Sequence, residues 1–191
     1  ARANTEETTP GSWRRARLID RYSERLFKDI LVPLNGAAES WPALDQAIDI
    51  AGREGGQVHG LHLVANEAAK LRPEAQAVRM QFEARCAAVG MTGNLVMETG
   101  DVTRKIIERA LLTDLVVLNV AHPPSAGLTS LGHGLRSIIW RCARPILAVP
   151  GRVTQFDRAV LAYDGSPKSK EALFIAAYLA EIYRTQLTVL S

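Results

Sequence analysis

Sliding the sequence along itself by 129 residues lays Phe27 to His62 on Phe156 to Ser191 without a gap. Phe27/Phe156, Gly36/Gly165, Ser40/Ser169, Leu44/Leu173, Gln57/Gln186 and Leu61/Leu190 are among the identical pairs, and Ala43, Ala47 and Ala51 recur as Ala172, Ala176 and Ala180. Shared patterning supplies some Leu and Ala matches, but not an ungapped register held through two turns. Both segments must therefore take one local structure: strand, turn, helix, strand. The second copy stops after its second strand. The sequence thus reads as one whole repeat plus the start of another, and as an excerpt of a longer polypeptide.

Within the whole repeat, β-rich runs alternate with helical patterns. Ile30–Leu34, Val58–Val64, Asn94–Met97, Leu115–Val120 and Ile146–Val149 are the strand candidates. Such runs, apolar on both sides and separated by helices, predict a mostly parallel α/β sheet covered on both faces. The first helix is expected from an N-cap at Ser40, with Pro42 in its first turn, to the Gly55-Gly56 stop. A second, within 73–89, sets Val78, Phe82 and Cys86 at helical spacing. The third follows Gly100-Asp101 and the fourth follows Gly132. Trp13 to Leu26 places Leu18, Tyr22 and Leu26 on one face, which suits a linker helix after a polar tail.

The 191 residues are 47% hydrophobic and 23% charged, the profile of a globular protein. Cys86 and Cys142 are too few for a disulfide framework, and a reducing, cytoplasmic setting is expected. No apolar run is long enough to span a bilayer. The net charge of +3 is already present in residues 1–28, which hold seven Lys or Arg against four acids, so residues 29–191 sum to zero. That balance argues against a nucleic-acid partner, which calls for a basic face on the folded body.

In an open parallel sheet the ligand crevice lies beyond the strand ends where strand order reverses. Asn35-Gly36 closes the first strand, and Asp164-Gly165-Ser166 holds the same place in the second copy. A carboxylate there can receive ribose hydroxyls or steady a metal-bound phosphate. An asparagine offers hydrogen bonds without charge, and Asn-Gly also suits a plain Asx turn. His122 and His133 have no carboxylate or thiol at ligand spacing, and His59 and His62, three apart on a strand, face opposite sides. No nucleophile elbow, P-loop or G-x-G-x-x-G is present. Trp13, Trp41 and Trp140 read as core or interface side chains rather than a base-stacking platform.

Phe27-Lys28-Asp29-Ile30-Leu31-Val32-Pro33, the Gly100-Asp101 turn, Asp114–Val120 and Arg144-Pro145-Ile146-Leu147-Ala148-Val149 resemble the universal stress protein family. Val160-Leu161-Ala162-Tyr163-Asp164-Gly165-Ser166-Pro167 resembles its opening strand and turn more closely still. The resemblance implies an open five-stranded parallel sheet, Rossmann-like and similar to adenine nucleotide alpha hydrolases, over residues 27–151. A second domain of the type would begin at 156–191, after a tail and linker over 1–26. It also implies cofactor-binding positions at Asn35 and Val64, and at Asp164, Gly165 and Ser166 in the second copy. Nucleotide-binding members carry G-x-x-G, nine residues, then G-[ST]; counting back from Pro145 puts these positions at Asn119, His122, Gly132 and His133. Only Gly132 matches. Glycines allow a backbone cradle to approach phosphate, whereas His122 adds bulk and Pro123 and Pro124 lack an N–H.

The resemblance therefore implies a non-enzymatic stress-response or signalling protein that acts through protein contacts. ATP, with its own magnesium, is the cofactor to test at a degenerate site. A homodimer or tandem pseudo-dimer is expected across the unprotected edge of Ile146–Val149. The alternative is a cytosolic regulatory domain of a larger transporter or kinase; an ATP-consuming enzyme would need a motif that is missing.

Overall fold

The computed structural model describes residues 25–120 and 133–191. The chain divides into two compact units, Ala1–Gly151 and Arg152–Ser191. In the first, strands β1 (Asp29–Leu34), β2 (Gln57–Val64), β3 (Asn94–Thr99), β4 (Leu115–Asn119) and β5 (Ile146–Val149) pair in parallel in the order β3-β2-β1-β4-β5. Helices α1 (Trp41–Glu54), α2 (Pro73–Ala87), α3 (Val102–Ala110) and α4 (His133–Arg141) connect or follow them. The five-stranded α/β architecture expected from the alternation is the one observed.

Strand alternation assigns side chains to two cores. Leu31, Leu61, Val116 and Leu118 pack with Ile106, Ala110 and Ile138 of α3 and α4. The intervening Ile30, Val32, Val58 and Val117 are equally buried on the other face, which α1 and α2 cover because right-handed crossovers reverse side where strand order reverses. Gly60 belongs to that face. A Cβ on it would lie 2.5 Å from Leu95 Cδ1 and 2.8 Å from Phe82 Cε2, so its missing side chain leaves room for the fully buried Phe82 ring.

Local signals set the helix ends. Pro42 lies in the first turn of α1 and Gly55, at φ 63°, closes it. Ser40 holds the N-cap position but does not cap. A 3-10 turn over Ala38–Ser40 precedes the helix, and Ser40 Oγ donates back to the Ala37 carbonyl at 2.7 Å. Asp101 does cap α3, accepting the Arg104 N–H at 2.7 Å. The helix expected over residues 13–26 lies almost wholly outside the described residues.

The second unit is a single βαβ element: β6 (Arg158–Ala162), α5 (Pro167–Ile182) and β7 (Gln186–Leu190). Its strands pair from Arg158↔Gln186 to Ala162↔Leu190, and β1 and β2 pair from Asp29↔Gln57 to Pro33↔Leu61, so every partner is displaced by the same 129 residues. The turns agree as well. Asn35 Oδ1 accepts the Ala37 N–H at 2.9 Å and Asp164 Oδ1 accepts the Ser166 N–H at 2.9 Å. Gly36 and Gly165 both have positive φ, 85° and 77°. At the helix end, Gly55 is matched by Arg184, also left-handed at φ 57°.

Candidate functional site

Strand order reverses between β1 and β4, and their C-terminal ends open onto a cleft of about 420 Å³. Its sheet side is apolar, with Leu61 and Leu63 of β2 beside Leu118 of β4. Its helical side is built from the first turns of α3 and α4, where Val102, Thr103, Gly134 and Leu135 line it. A Cβ on Gly134 would lie 3.1 Å from Thr103 Oγ1, so the glycine lets the two helix starts approach closely. The polar side chains of the lining are Asn35, Ser40, Thr103 and Asn119; no charged residue lines the cleft among the described residues. Such a site can seat a planar or apolar group and orient it by amide and hydroxyl hydrogen bonds.

The residues singled out in the sequence fall into five groups. Asn35 and Asn119 meet at the cleft. His133 is the first residue of α4, next to the lining Gly134. Val64 does not line it: side chains alternate along β2, so Leu61 and Leu63 face the cleft and Val64 faces away. His122 and Gly132 lie outside the described residues. Asp164, Gly165 and Ser166 form the corresponding turn of the second unit, where Ser166 caps α5 by accepting the Ser169 N–H at 3.1 Å. Hydrogen bonds from Ser166, and then Ser169, pull the Asp164 carboxyl down to about 2. Thr103 and the leucines of β2 escaped the sequence reading. The signal available for Thr103 was its place in the first turn after the Gly100-Asp101 stop.

The other end of the sheet carries a polar cluster. His59 Nε2 lies 2.8 Å from Asp29 Oδ1, to which Gln57 Nε2 also donates at 2.8 Å. The hydrogen bond from His59 is the main reason the Asp29 carboxyl lies below its ordinary value. His62, on the opposite side, is buried with Nδ1 2.8 Å from the Leu34 carbonyl oxygen. On β3, Glu98 is held below the ordinary glutamate value by Lys105 and Arg109 of α3. Among the described residues no group of three or more His, Cys, Asp or Glu is arranged to hold a metal, and no helix is long and apolar enough to cross a membrane.

Residues 26–110 match the model of the Universal stress protein family. The chain contains a universal stress protein domain. The match runs from the start of β1 to the end of α3, so Asn119 and His133 lie beyond it. The fold agrees. A universal stress protein from Archaeoglobus fulgidus DSM 4304 superposes with a TM-score of 0.65 at 16% identity, covering 86% of this chain and 67% of that one. A universal stress protein in complex with cAMP gives 0.54 at 17%, covering 66% and 99%. A further one from Archaeoglobus fulgidus gives 0.52 at 16%, covering 64% and 98%. No curated protein matches the sequence.

Proposed function

We propose that this chain is a non-catalytic, cytoplasmic stress-response or signalling protein that works through protein contacts, and that its first unit holds adenine nucleotide weakly or not at all. The observation that carries this reading is the cleft at the β1/β4 switch point, uncharged among the described residues and with asparagines at both strand ends. Phosphate needs a dense set of N–H donors or cations. The described lining has no cation, and the connection from β4 to α4 contains Pro123 and Pro124. That a structural relative is complexed with cAMP makes adenine compounds the ligands to test.

We further read residues 156–191 as the start of a second domain of the same type. The shared β-pair register supports this, and so does the relative that covers 86% of the chain, more than the first unit alone contains. In that reading β5, one of the two edge strands, supplies a pairing edge for a second domain or a second copy. The decisive measurement on the cleft is calorimetry of the full chain with ATP and magnesium, and with cAMP. Dissociation constants of about 100 μM or weaker are expected, and His122→Gly with His133→Ser should tighten ATP. A micromolar constant for the unaltered chain would refute the reading.

A further inference from the structure

The C-terminal ends of α3 and α4 leave large apolar side chains in water. Trp140 is 79% exposed, Leu112 77%, Leu111 59% and Ile139 49%. Both helices run back against parallel strands, so these ends lie at the same end of the sheet, opposite the cleft. They are also tied together: α3 packs on α4, and Arg144 Nη2 donates to the Leu111 carbonyl at 3.2 Å. The Arg136 guanidinium stands 5.9 Å from the centre of the Trp140 ring, which holds a cation over its face. Leu112 also borders a cavity of about 200 Å³, roughly the bulk of one apolar side chain, with Arg109 and Asn94 at its wall.

Charge singles out the occupant. From Leu115 to Gly151 the sequence contains Arg136, Arg141 and Arg144, no lysine and no acid. None of the three pairs with a carboxylate among the described residues. The nearest acid in sequence, Asp114, accepts the Asp29 N–H at 3.0 Å. A helix dipole accounts for cations at the last turn of α4 but not for an indole and two leucines in water nearby. Trp and Arg are the residue types that dominate protein hot spots, and Arg engages carboxylates in pairs of hydrogen bonds. A second copy would bring the same arginines and be repelled. A lipid surface would be served by lysine as readily as by arginine.

We propose that the ends of α3 and α4 form a docking surface for an acidic protein segment with an apolar anchor. Trp140 and Leu112 receive the anchor, while Arg136, Arg141 and Arg144 receive the carboxylates. This inference is independent of what the cleft binds. The test uses the full chain and a short synthetic peptide with a central Phe-Leu pair flanked by glutamates. Its glutamine counterpart and vesicles of phosphatidylcholine with phosphatidylglycerol are run in parallel. The acidic peptide should bind and lose affinity in high salt, and Trp140→Ala or Arg136→Gln with Arg144→Gln should weaken it about tenfold or more. Both variants alter exposed side chains, and unchanged thermal melts will confirm that folding is intact. The proposal is overturned if the acidic peptide fails to bind, if the glutamine peptide binds as well, or if Trp140→Ala leaves affinity unchanged. It is equally overturned if Trp140 governs only vesicle binding, or only self-association seen by sedimentation.

Discussion

Leu44 and Leu173 occupy the same place in two βαβ elements of one register, yet Leu44 is wholly buried and Leu173 is 36% exposed. The contrast holds along the element. Leu31 and Leu61 are buried beneath α3 and α4, whereas their counterparts Val160 and Leu190 are 68% and 59% exposed. Helix α1 buries nine residues and α5 buries Ser169 alone. The two elements share turn, helix stripe and pairing register, although individual side chains such as Trp41 and Lys170 differ. What differs is the company. β1 lies between β2 and β4 and is covered on both faces, while β6 has β7 as its one paired strand. A pattern sufficient to shape a βαβ element does not suffice to bury it.

The largest effect should come from separating the units. Expressed alone, residues 152–191 should give no cooperative thermal melt, because ordering costs about 1–2 kcal/mol per residue and so small a core cannot offset that. Residues 1–151 should melt cooperatively, and a sharp melt from the short monomeric piece would erase the contrast. Next come the paired leucines. Leu44→Ala should destabilise the first unit by about 2–5 kcal/mol in denaturant titration, against under about 1 kcal/mol for Leu173→Ala in the full chain. Equal losses would mean that Leu173 is covered in solution.

The paired turn glycines should separate less widely. Both have positive φ, so alanine at either strains the backbone by about 1 kcal/mol. At Gly36 the new Cβ would also meet Val78 Cγ2 at 2.6 Å, whereas at Gly165 it meets nothing within 4 Å. Gly36→Ala should therefore cost about 1–3 kcal/mol more than Gly165→Ala. The smallest effect is electrostatic. Asp29 and Asp164 both titrate below the ordinary aspartate value, so each favours the folded chain above that value and loses its contribution as pH falls through the folded one. Asp29→Asn should flatten the acid limb of the stability profile of the first unit. Carboxyl NMR should find Asp164 near 2, and a midpoint in the ordinary range would show that the Ser166 hydrogen bonds do not persist.

Much of this was legible from residue order. The strands at Ile30, Val58, Asn94, Leu115 and Ile146 announce themselves as apolar β-rich runs, and Gly55 and Asp101 mark a helix stop and start through backbone and capping chemistry that acts within a few residues. Ser40 marks the start of α1 as its residue type suggests, but its hydroxyl donates to the Ala37 carbonyl of the 3-10 turn before it instead of capping. Val64 ends β2 on the face away from Leu61 and Leu63, and which face of a strand meets a cleft is set by the assembled sheet rather than by position in the sequence. Thr103 and Leu63 could not be foreseen as neighbours of Asn35, since a strand order is needed to bring them together.

By itself the sequence determined the element types, their order, the helix stops and the offset of 129 residues, all of which follow from local backbone preference and apolar period. Only the tertiary structure decided that β1 sits beside β4, and hence where the cleft opens. It also decided that Gly60 yields space to Phe82, and that Trp140 faces water while Trp41 is buried. Those outcomes depend on which strand edges and helix faces remain free once long-range pairing is complete, and a residue's own neighbours in the chain carry no record of that.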